Sequence, residues 1–331
     1  MSTPVQQWRP AGRGSVRSRT INGYFARVSH PFMAAASLRG TPSAQFLAAM
    51  RPGLNRSLTA LSPVPAETRV EPIREWLDGV RVRGEWVSAH PGPPRPESPT
   101  RIIYYLHGSG YVICSPRTHR GLVGRLSKRT GWSAFSLDYR LGPEYPFPTA
   151  GDDAIRGYHW LLDQGFRPDQ IVVAGDSAGG HLALDLIADN HRRGIGQPAG
   201  LVLFSPLYDP TFELAVASQR RGVRDPLIDA VAGQRFLRLY TGGTAADHPR
   251  MRVALHPEMS LPPTLIQVGA LEVMGDDARA MHRALTAAGA DAALQEWPGQ
   301  GHVFQMFPLF SPESRQALHE AAGFMSTLAT N

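Results

Sequence analysis

The sequence has little cysteine, little lysine and no long hydrophobic run. Its one cysteine, Cys114, excludes an intrachain disulfide and any metal site built from several cysteines. No apolar stretch approaches the roughly 18 residues that a membrane-spanning helix needs, so an integral helical membrane protein is excluded. The chain does not depend on an oxidising compartment, and we expect a cytoplasmic location without a membrane span.

Positive charge is in excess, but it comes almost entirely from arginine. The chain has 34 basic and 28 acidic residues, a net charge of +6, and Lys128 is its only lysine. Arginine side chains fit phosphate groups well, but a GC-rich genome would produce the same composition. The arginines are spread along the chain, and no basic run with interleaved aromatic residues is present. Nucleic acid is therefore not an expected partner.

The length and the apolar content predict a folded protein with a sizeable core. Of 331 residues, 42% are hydrophobic and 19% are charged, which excludes the disordered and fibrous classes. Residues 1–20 contain four arginines and no acid, which faintly resembles a transit peptide. Because no apolar segment follows, we interpret them as a basic tail that leads into a helix. Residues 21–60 predict short helices broken by Pro42 and Pro52.

The apolar pattern predicts a hairpin followed by an alternation of strands and helices. Alternating residues at 71–77 and 80–88, separated by Asp78-Gly79, indicate a β-hairpin. From residue 101 onward the alternation is typical of a parallel sheet covered on both faces. The predicted strands are 102–106, 132–137, 171–174, 201–204, 264–268 and 293–296, and the predicted helices are 118–129, 151–164, 179–193, 229–240, 276–288 and 312–328. Residues 207–247 are longer than a crossover needs and predict an inserted element above the sheet.

A nucleophile elbow is the strongest local signal. Gly175-Asp176-Ser177-Ala178-Gly179 lies between a buried strand and a helix, the context that a Gly-x-Ser-x-Gly motif requires. The two outer glycines let strand and helix approach closely, and we expect a strained backbone at Ser177. Its hydroxyl would then stand at the carboxyl end of the sheet, over a helix N-terminus that favours negative charge. We interpret Ser177 as the nucleophile; the alternative is a structural glycine turn.

A serine hydroxyl needs a base, and the base needs an acid that orients it. In folds of this class the order along the chain is serine, acid, histidine. Among the histidines well downstream of Ser177, His302 lies in the glycine-rich loop after the last strand and is the predicted base. The acid should follow the preceding strand, where Glu272 is the first carboxylate. Asp276 is the alternative, although it lies where a helix should begin and acids favour the helix dipole.

A second glycine-rich motif follows the strand 102–106. Acyl transfer requires backbone N–H groups that stabilise an oxyanion, and the glycines of His107-Gly108-Ser109-Gly110 leave such a backbone uncovered. With the N–H of Ala178, the residue after the nucleophile, this loop predicts an oxyanion hole. The alternative is a glycine turn with a structural His107. Cys114, shortly after the loop, is expected to be a small buried residue rather than a reactive thiol.

Four motifs in this order resemble the hormone-sensitive-lipase family of α/β-hydrolase carboxylesterases, in its bacterial branch with Gly-Asp-Ser-Ala-Gly. They are His107-Gly108-Ser109-Gly110, residues 138–148 (Asp-Tyr-Arg-Leu-Gly-Pro-Glu-Tyr-Pro-Phe-Pro), residues 175–180 and Gly301-His302. The resemblance extends over about residues 70–330. It implies an α/β-hydrolase fold, with a mostly parallel, twisted eight-stranded sheet flanked by helices, and a helical cap.

The resemblance also implies a division of the chain and a reaction. Residues 1–65 would form an N-terminal helical cap segment and residues 66–331 the catalytic domain, with a second cap insertion at about 207–247. The implied reaction is hydrolysis of short- to medium-chain acyl esters, with a small-molecule ester as substrate and with no cofactor and no metal. Related enzymes often pair through the sheet edge and the last helix, so a homodimer is one possible state.

The family motifs make Ser177 the nucleophile, His302 the base and Glu272 the acid. The oxyanion donors implied by the match are Ser109, Gly110 and Ala178. The chain departs from the family pattern at two of these positions. Glu272 stands where the family most often has aspartate within Asp-Pro-Leu, and Ser109 replaces the middle glycine of His-Gly-Gly-Gly.

The expected function is therefore a serine carboxylesterase that works through a Ser-His-Glu triad and an acyl-enzyme intermediate. An amidase, a lactonase or a deacetylase is the alternative, because the triad determines acyl transfer but not the leaving group. A non-catalytic ligand-binding receptor on a hydrolase fold is the least expected reading. Such receptors tend to lose the catalytic histidine, whereas this chain keeps His302.

Overall fold

The computed structural model describes residues 12–38, 44–98 and 100–328. Pro42 and the first eleven residues of the expected basic tail lie outside these ranges. Among the described residues, no helix is both long enough and apolar enough to cross a membrane.

Eight strands in the described ranges form one sheet, in the order β1-β2-β4-β3-β5-β6-β7-β8. The strands are β1 (Arg69–Leu77), β2 (Val80–Ser88), β3 (Ile102–Leu106), β4 (Ser133–Leu137), β5 (Ile171–Asp176), β6 (Gly200–Phe204), β7 (Thr264–Gly269) and β8 (Ala292–Trp297). The pairs β1–β2 and β2–β4 are antiparallel, and all the others are parallel. The predicted eight-stranded, mostly parallel sheet is confirmed, and each predicted strand matches an observed one to within two residues at either end.

The hairpin turns at the predicted Asp78-Gly79 pair. Both residues have positive φ, 51° and 73°, and Leu77 pairs directly with Val80 across the turn. A two-residue turn with positive φ at both central positions matches the twist of the flanking strands. An Asp-Gly pair tolerates that backbone, which is why the sequence signal was informative.

The order of the strands brings two loops to one point of the sheet. β3 lies beside β5, and Leu106 at the end of β3 pairs with Gly175 near the end of β5. In open α/β sheets, functional residues gather at the carboxyl ends of the strands, at the point where the strand order reverses. His107 and Ser177, which follow β3 and β5, therefore lie on neighbouring loops.

Helices cover both faces of the sheet. The α-helices in the described ranges are α1 (Val16–Leu38), α2 (Ala44–Leu61), α3 (Pro116–Thr130), α4 (Thr149–Asp163), α5 (Ala178–Arg193), α6 (Glu213–Arg220), α7 (Ala230–Thr241), α8 (Gly275–Ala287) and α9 (Pro312–Thr327). Side chains from α3 and α9 join one apolar core and those from α4, α5 and α8 join the other. Successive β3 residues alternate between the two cores, with Tyr104 in one and Tyr105 in the other. The continuous apolar run of β3 follows from burial on both faces.

The expectation of short helices, one of them broken at Pro52, was wrong, since α1 and α2 have 23 and 18 residues, and one other helix was not predicted. Pro52 does not break a helix but lies inside α2. The helix continues there because its side chains before and after Pro52 are held by the rest of the protein: Leu47 is buried and Asn55 accepts a hydrogen bond from the N–H of Cys114. α6 was not predicted, because only eight residues form it; the carboxylate of Asp209 accepts the first N–H groups of this helix.

Candidate active site

Ser177 lies on a sharp turn between β5 and α5. Its φ is 50° and its ψ is −118°, the strained backbone that the elbow motif predicted. A residue with a side chain keeps such a conformation only where its surroundings impose it. At Gly179, a side-chain carbon would collide with the carbonyl oxygen of Leu106, so only glycine lets α5 approach β3 this closely. The elbow therefore depends on the close contact between α5 and β3, and Ser177 lies at its tip.

The structure brings His302 and Glu272 together. Nδ1 of His302 lies 2.8 Å from Oε2 of Glu272, and the side chain of His302 is 13% exposed whereas that of Glu272 is fully buried. The other oxygen, Oε1, accepts hydrogen bonds from the hydroxyl of Ser205 (2.7 Å) and the N–H of Gly269 (2.6 Å). Ser205 in turn accepts a hydrogen bond from the N–H of Val303, next to the histidine. These contacts fix the carboxylate and the imidazole relative to each other.

The charges around His302 favour its protonated form. Burial alone would lower the pKa of His302, but the hydrogen bond and charge of Glu272 and the charge of Asp225 raise it above its usual value. A base with such neighbours holds the proton that it takes from a nucleophile. The arrangement can therefore stabilise an imidazolium during acyl transfer.

Asp225 is a second carboxylate near this pair, and the sequence analysis missed it. Its Oδ1 accepts hydrogen bonds from the N–H groups of Leu227 and Ile228, and its Oδ2 accepts one from Val273 (3.1 Å). Burial, with some contribution from the charge of Glu272, raises the pKa of Asp225 to about 6. Val273 follows Glu272 directly, so Asp225 holds the backbone of residues 270–274, the loop between β7 and α8 that we call the acid loop. The only local signal was an Asp-Pro pair, which indicates a turn and not a site.

Asp276, the alternative acid, lies elsewhere. It is near the beginning of α8, where its carboxylate contacts Arg221 and receives a 2.7 Å hydrogen bond from Arg279. A partly exposed carboxylate between two guanidinium groups at a helix N-terminus is a stabilising surface arrangement. The structure thus places Glu272 beside His302, and Asp276 in ion pairs on the surface.

The loop after β3 lies against the elbow. The N–H of Gly108 donates to Oδ1 of Asp176 (3.1 Å), and a side-chain carbon at Gly108 would lie 2.9 Å from Cβ of Ser177. Ser109 and Gly110 have positive φ values of 79° and 63°. Within the described residues, the backbone N–H groups of Ser109 and Gly110 donate to no protein acceptor. Unpaired backbone donors beside a nucleophile are what an oxyanion hole requires.

A buried polar cluster, formed by Asp176, Tyr105 and His119, contacts this loop. Besides Gly108, Asp176 accepts a hydrogen bond from the hydroxyl of Tyr105 (2.8 Å), and Nε2 of His119 lies 3.3 Å from it. Burial would raise the pKa of Asp176, but the nearby His119 imidazole and the hydrogen bond from the Tyr105 hydroxyl lower it, so the carboxylate is ionised. The sequence analysis missed His119, which lies on α3 and belongs to none of the motifs.

His107 packs within the same cluster. Its ring stacks on that of Tyr139 at 4.2 Å between centroids, and the Tyr139 hydroxyl donates to the carbonyl oxygen of His107 (2.7 Å). Burial, together with the charge of His119, lowers the pKa of His107 to about 3. The buried imidazole is therefore neutral near pH 7, and its stacking on Tyr139 packs the loop against the core.

Cys114 is a buried thiol and not a reactive one. Its side chain is 2% exposed, and burial raises its pKa to about 11. Its Sγ lies 2.8 Å from the hydroxyl of Ser109. A thiol with so high a pKa is not a nucleophile near neutral pH. Within the described ranges, no group of three or more His, Cys, Asp or Glu side chains is arranged to hold a metal ion.

Comparisons with known proteins identify the fold and the family of this chain. A family model described as the α/β hydrolase fold matches residues 103–306. An acetyl-hydrolase of Streptomyces hygroscopicus is 38% identical over 243 residues, which are 73% of this chain and 79% of that protein. An esterase of Acinetobacter venetianus is 35% identical over 292 residues, 87% of this chain and 92% of that protein.

Solved structures show the same likeness over nearly the whole chain. The crystal structure of an esterase from the bacterial hormone-sensitive lipase family has a TM-score of 0.80 and 31% identity, covering 96% of this chain and 99% of that one. An esterase/lipase from an uncultured bacterium has a TM-score of 0.81 and 32% identity, covering 95% and 99%.

Proposed function

The chain belongs to the hormone-sensitive-lipase family of α/β-hydrolase fold carboxylic ester hydrolases, and we propose that it cleaves short- to medium-chain acyl esters through Ser177, His302 and Glu272. The observation that carries this proposal is the Glu272–His302 pair, with its 2.8 Å contact, at the same end of the sheet as a strained Ser177. Nucleophilic acyl transfer needs a nucleophile, a general base and an acid that orients the base, and these three side chains have the chemistry for those roles.

The reaction would proceed in two halves. His302 takes the proton of the Ser177 hydroxyl on Nε2, because Nδ1 is engaged with Glu272, and the oxygen attacks the ester carbonyl. The carbonyl oxygen becomes an oxyanion next to the N–H groups of Ser109, Gly110 and Ala178. As the intermediate collapses, the histidine returns its proton to the leaving alcohol and an acyl-Ser177 remains. Water, activated by the same histidine, then releases the acid and restores the serine.

Glu272 would stabilise the transient imidazolium without accepting its proton. This role agrees with the raised pKa of His302, in which the contribution of Glu272 offsets the cost of burial. The proposed route needs no metal and no cofactor, since the backbone donors stabilise the negative charge and the histidine moves every proton. We therefore assign the chemistry to this chain's own groups.

The proposed substrate range follows from the elements above the site. The helices α1 and α2 and the segment 207–247, which contains α6 and α7, would form a cap, and α1 contacts α7. Leu237 of α7 has its Cδ2 3.6 Å from where a side-chain carbon on Gly110 would lie. A leucine so near the proposed oxyanion hole restricts the room for a long acyl chain. An acetyl-hydrolase among the relatives is consistent with short acyl groups.

A fluorophosphonate probe tests the nucleophile directly. We expect stoichiometric labelling of the wild type and none of Ser177→Ala, with kcat for p-nitrophenyl esters lower by about 10⁴ or more. Ser57→Ala, at an exposed serine of α2, is the control that keeps both labelling and activity. Ester hydrolysis by Ser177→Ala within tenfold of wild type would refute the assignment. A panel of esters from acetate to palmitate, with one lactone and one amide, separates the esterase from the other acyl-transfer activities.

A further inference from the structure

The backbone that follows the proposed oxyanion donors is strained over several residues. Ser109, Tyr111 and Cys114 all have positive φ, at 79°, 64° and 69°. Such conformations are disfavoured for residues with a side chain and persist only where the surroundings impose them. The stretch 107–114, which we call the oxyanion loop, therefore needs anchors at both of its ends.

The first anchor belongs to the hydrolase core. At the start of the loop, the N–H of Gly108 donates to Asp176, and the hydroxyl of Tyr139 donates to the carbonyl oxygen of His107. Both partners are buried; Asp176 is the last residue of β5, and Tyr139 lies two residues after the end of β4. These bonds end at Gly108, before the two N–H groups that would bind the oxyanion.

The second anchor comes from the N-terminal segment. On α2, Nε of Arg51 donates to the carbonyl oxygen of Val112 (2.7 Å), and Oδ1 of Asn55 accepts the N–H of Cys114 (3.1 Å). Residues four apart in a helix lie on the same face, so the two side chains reach the same loop. Together they hold the end of the oxyanion loop, two to four residues after Gly110.

Arg51 also ties this loop to a second one. Its guanidinium donates to the carbonyl oxygen of Gly142 and makes a two-pronged pair with Glu144, at 2.7 and 2.8 Å. The N–H of Gly142 in turn donates to the carbonyl oxygen of Tyr111 (2.9 Å). A planar guanidinium can serve several acceptors in fixed directions, which a lysine cannot. Arg51 thus joins α2, the oxyanion loop and the loop around Gly142.

We propose that Arg51 and Asn55 are positioning residues that hold the N–H groups of Ser109 and Gly110 in the direction of the oxyanion. The proposal rests on the proposed function, since it assumes that these N–H groups act on an ester. α2 then acts on the reaction through Arg51 and Asn55, which hold the oxyanion loop in place. Charge-assisted hydrogen bonds of Arg51 to backbone carbonyls are strong enough to set the position of a short loop.

The expected signature is a loss in kcat without a matching change in KM. Oxyanion donors act on charge that exists only in the transition state, so their displacement does not weaken binding of the substrate. Displacement of a positioned group by about 1 Å can cost on the order of 100-fold in rate. For Arg51→Met we therefore expect kcat to fall by about 10- to 100-fold, while KM stays within about threefold.

The experiment compares Arg51→Met with Arg56→Met, which removes an exposed arginine five residues further along α2. Steady-state kinetics on p-nitrophenyl acetate are measured together with the inhibition constant of a trifluoromethyl ketone, which forms a tetrahedral oxyanion on the serine. We expect the affinity of Arg51→Met for the ketone to fall by the same factor as kcat. Arg56→Met should match the wild type in both measurements.

A purely structural role of Arg51 would give a different result. Arg51→Met would then have a lower melting temperature but an unchanged kcat per folded molecule and an unchanged affinity for the ketone, and that outcome overturns the proposal. If Arg51→Met does not fold, Asn55→Ala, which removes a single acceptor, must show the same kcat and ketone losses at smaller size. Guanidinium ion added to Arg51→Ala should restore part of the lost kcat. The same addition should leave kcat of Arg56→Ala unchanged, because that variant has lost no activity.

Labelling keeps this test separate from that of the nucleophile. If fluorophosphonate fails to label Ser177 in the wild type, the proposed function itself is wrong. If Ser177 is labelled to completion and Arg51→Met still keeps its kcat, only the positioning role is wrong.

Discussion

One carboxylate oxygen of Glu272 contacts His302, and the other accepts hydrogen bonds from residues at the ends of two neighbouring strands, β6 and β7. The contact from Oε2 to Nδ1 is 2.8 Å, and Oε1 accepts hydrogen bonds from Ser205 and Gly269. Both oxygens of this buried carboxylate are hydrogen-bonded, with three contacts in all, so its orientation is fixed. The site should therefore be sensitive to Glu272→Gln, which keeps the size of the side chain but replaces one acceptor oxygen by a donor NH2 group.

We expect Glu272→Gln to lower kcat by about 10²–10⁴ with little loss of stability. An amide has one acceptor oxygen, and the two donors at Oε1 would take it. The NH2 group would then face Nδ1 of His302, which could only accept from it, and the proton would move to Nε2. A histidine protonated at Nε2 is no base toward Ser177. Steady-state kinetics and a thermal melt measure the two effects.

Asp276→Asn is the matched control for this change. Asp276 pairs with Arg221 and Arg279 on the surface, so its loss should cost less than about tenfold in kcat. If Asp276→Asn is the more damaging variant, Glu272 is not the acid of the triad.

Asp225 gives a pH test of the same site. Its negative charge is one of the causes that raise the pKa of His302, and its own pKa is about 6 because of burial, so it is ionised at neutral pH. A base works when it is unprotonated, so kcat/KM rises with pH through the pKa of the histidine. In Asp225→Asn that pKa is lower, and the acid limb should move to lower pH. The plateau should also fall, by about tenfold, since the Val273 N–H loses its acceptor.

The pH profile of Asp276→Asn should overlay that of the wild type. Both variants remove one carboxylate near the acid loop, but only Asp225 acts on the charge of His302. An acid limb that stays in place in Asp225→Asn, or moves to higher pH, contradicts the electrostatic role.

The sheet and the motif residues could be predicted because their signals are local. A strand buried on both faces, such as β5, is a continuous apolar run, and Ser177 lies in a motif whose glycines are needed for close packing within a few residues. The elbow, the hairpin turn and the strand ends were accordingly predicted to within two residues.

The residues that support the site could not be predicted in this way. Asp225, Ser205 and Arg51 act through backbone groups that are distant in sequence, such as Val273, Val303 and Val112. Nothing in the composition around an isolated Asp, Ser or Arg marks such a contact, because tertiary packing alone creates it. For the same reason Pro52 was read as a helix break, although contacts of α2 on both sides keep the helix continuous.

Leu237 gives a test of how the segment 207–247 limits the acyl group. It is 4% exposed, and its Cδ2 lies near Gly110, one of the proposed oxyanion donors. Because the acyl carbonyl must sit at those donors, the acyl chain begins beside this leucine. Leu237→Ala should raise kcat/KM for octanoate relative to acetate by about tenfold, since each methylene accommodated in an apolar pocket is worth about 10-fold or more. Leu237→Phe should shift the ratio toward acetate.

Val231→Ala, at a side chain of α7 that is 40% exposed, should leave the ratio unchanged. Equal ratios in all three variants would show that α7 does not border the acyl chain.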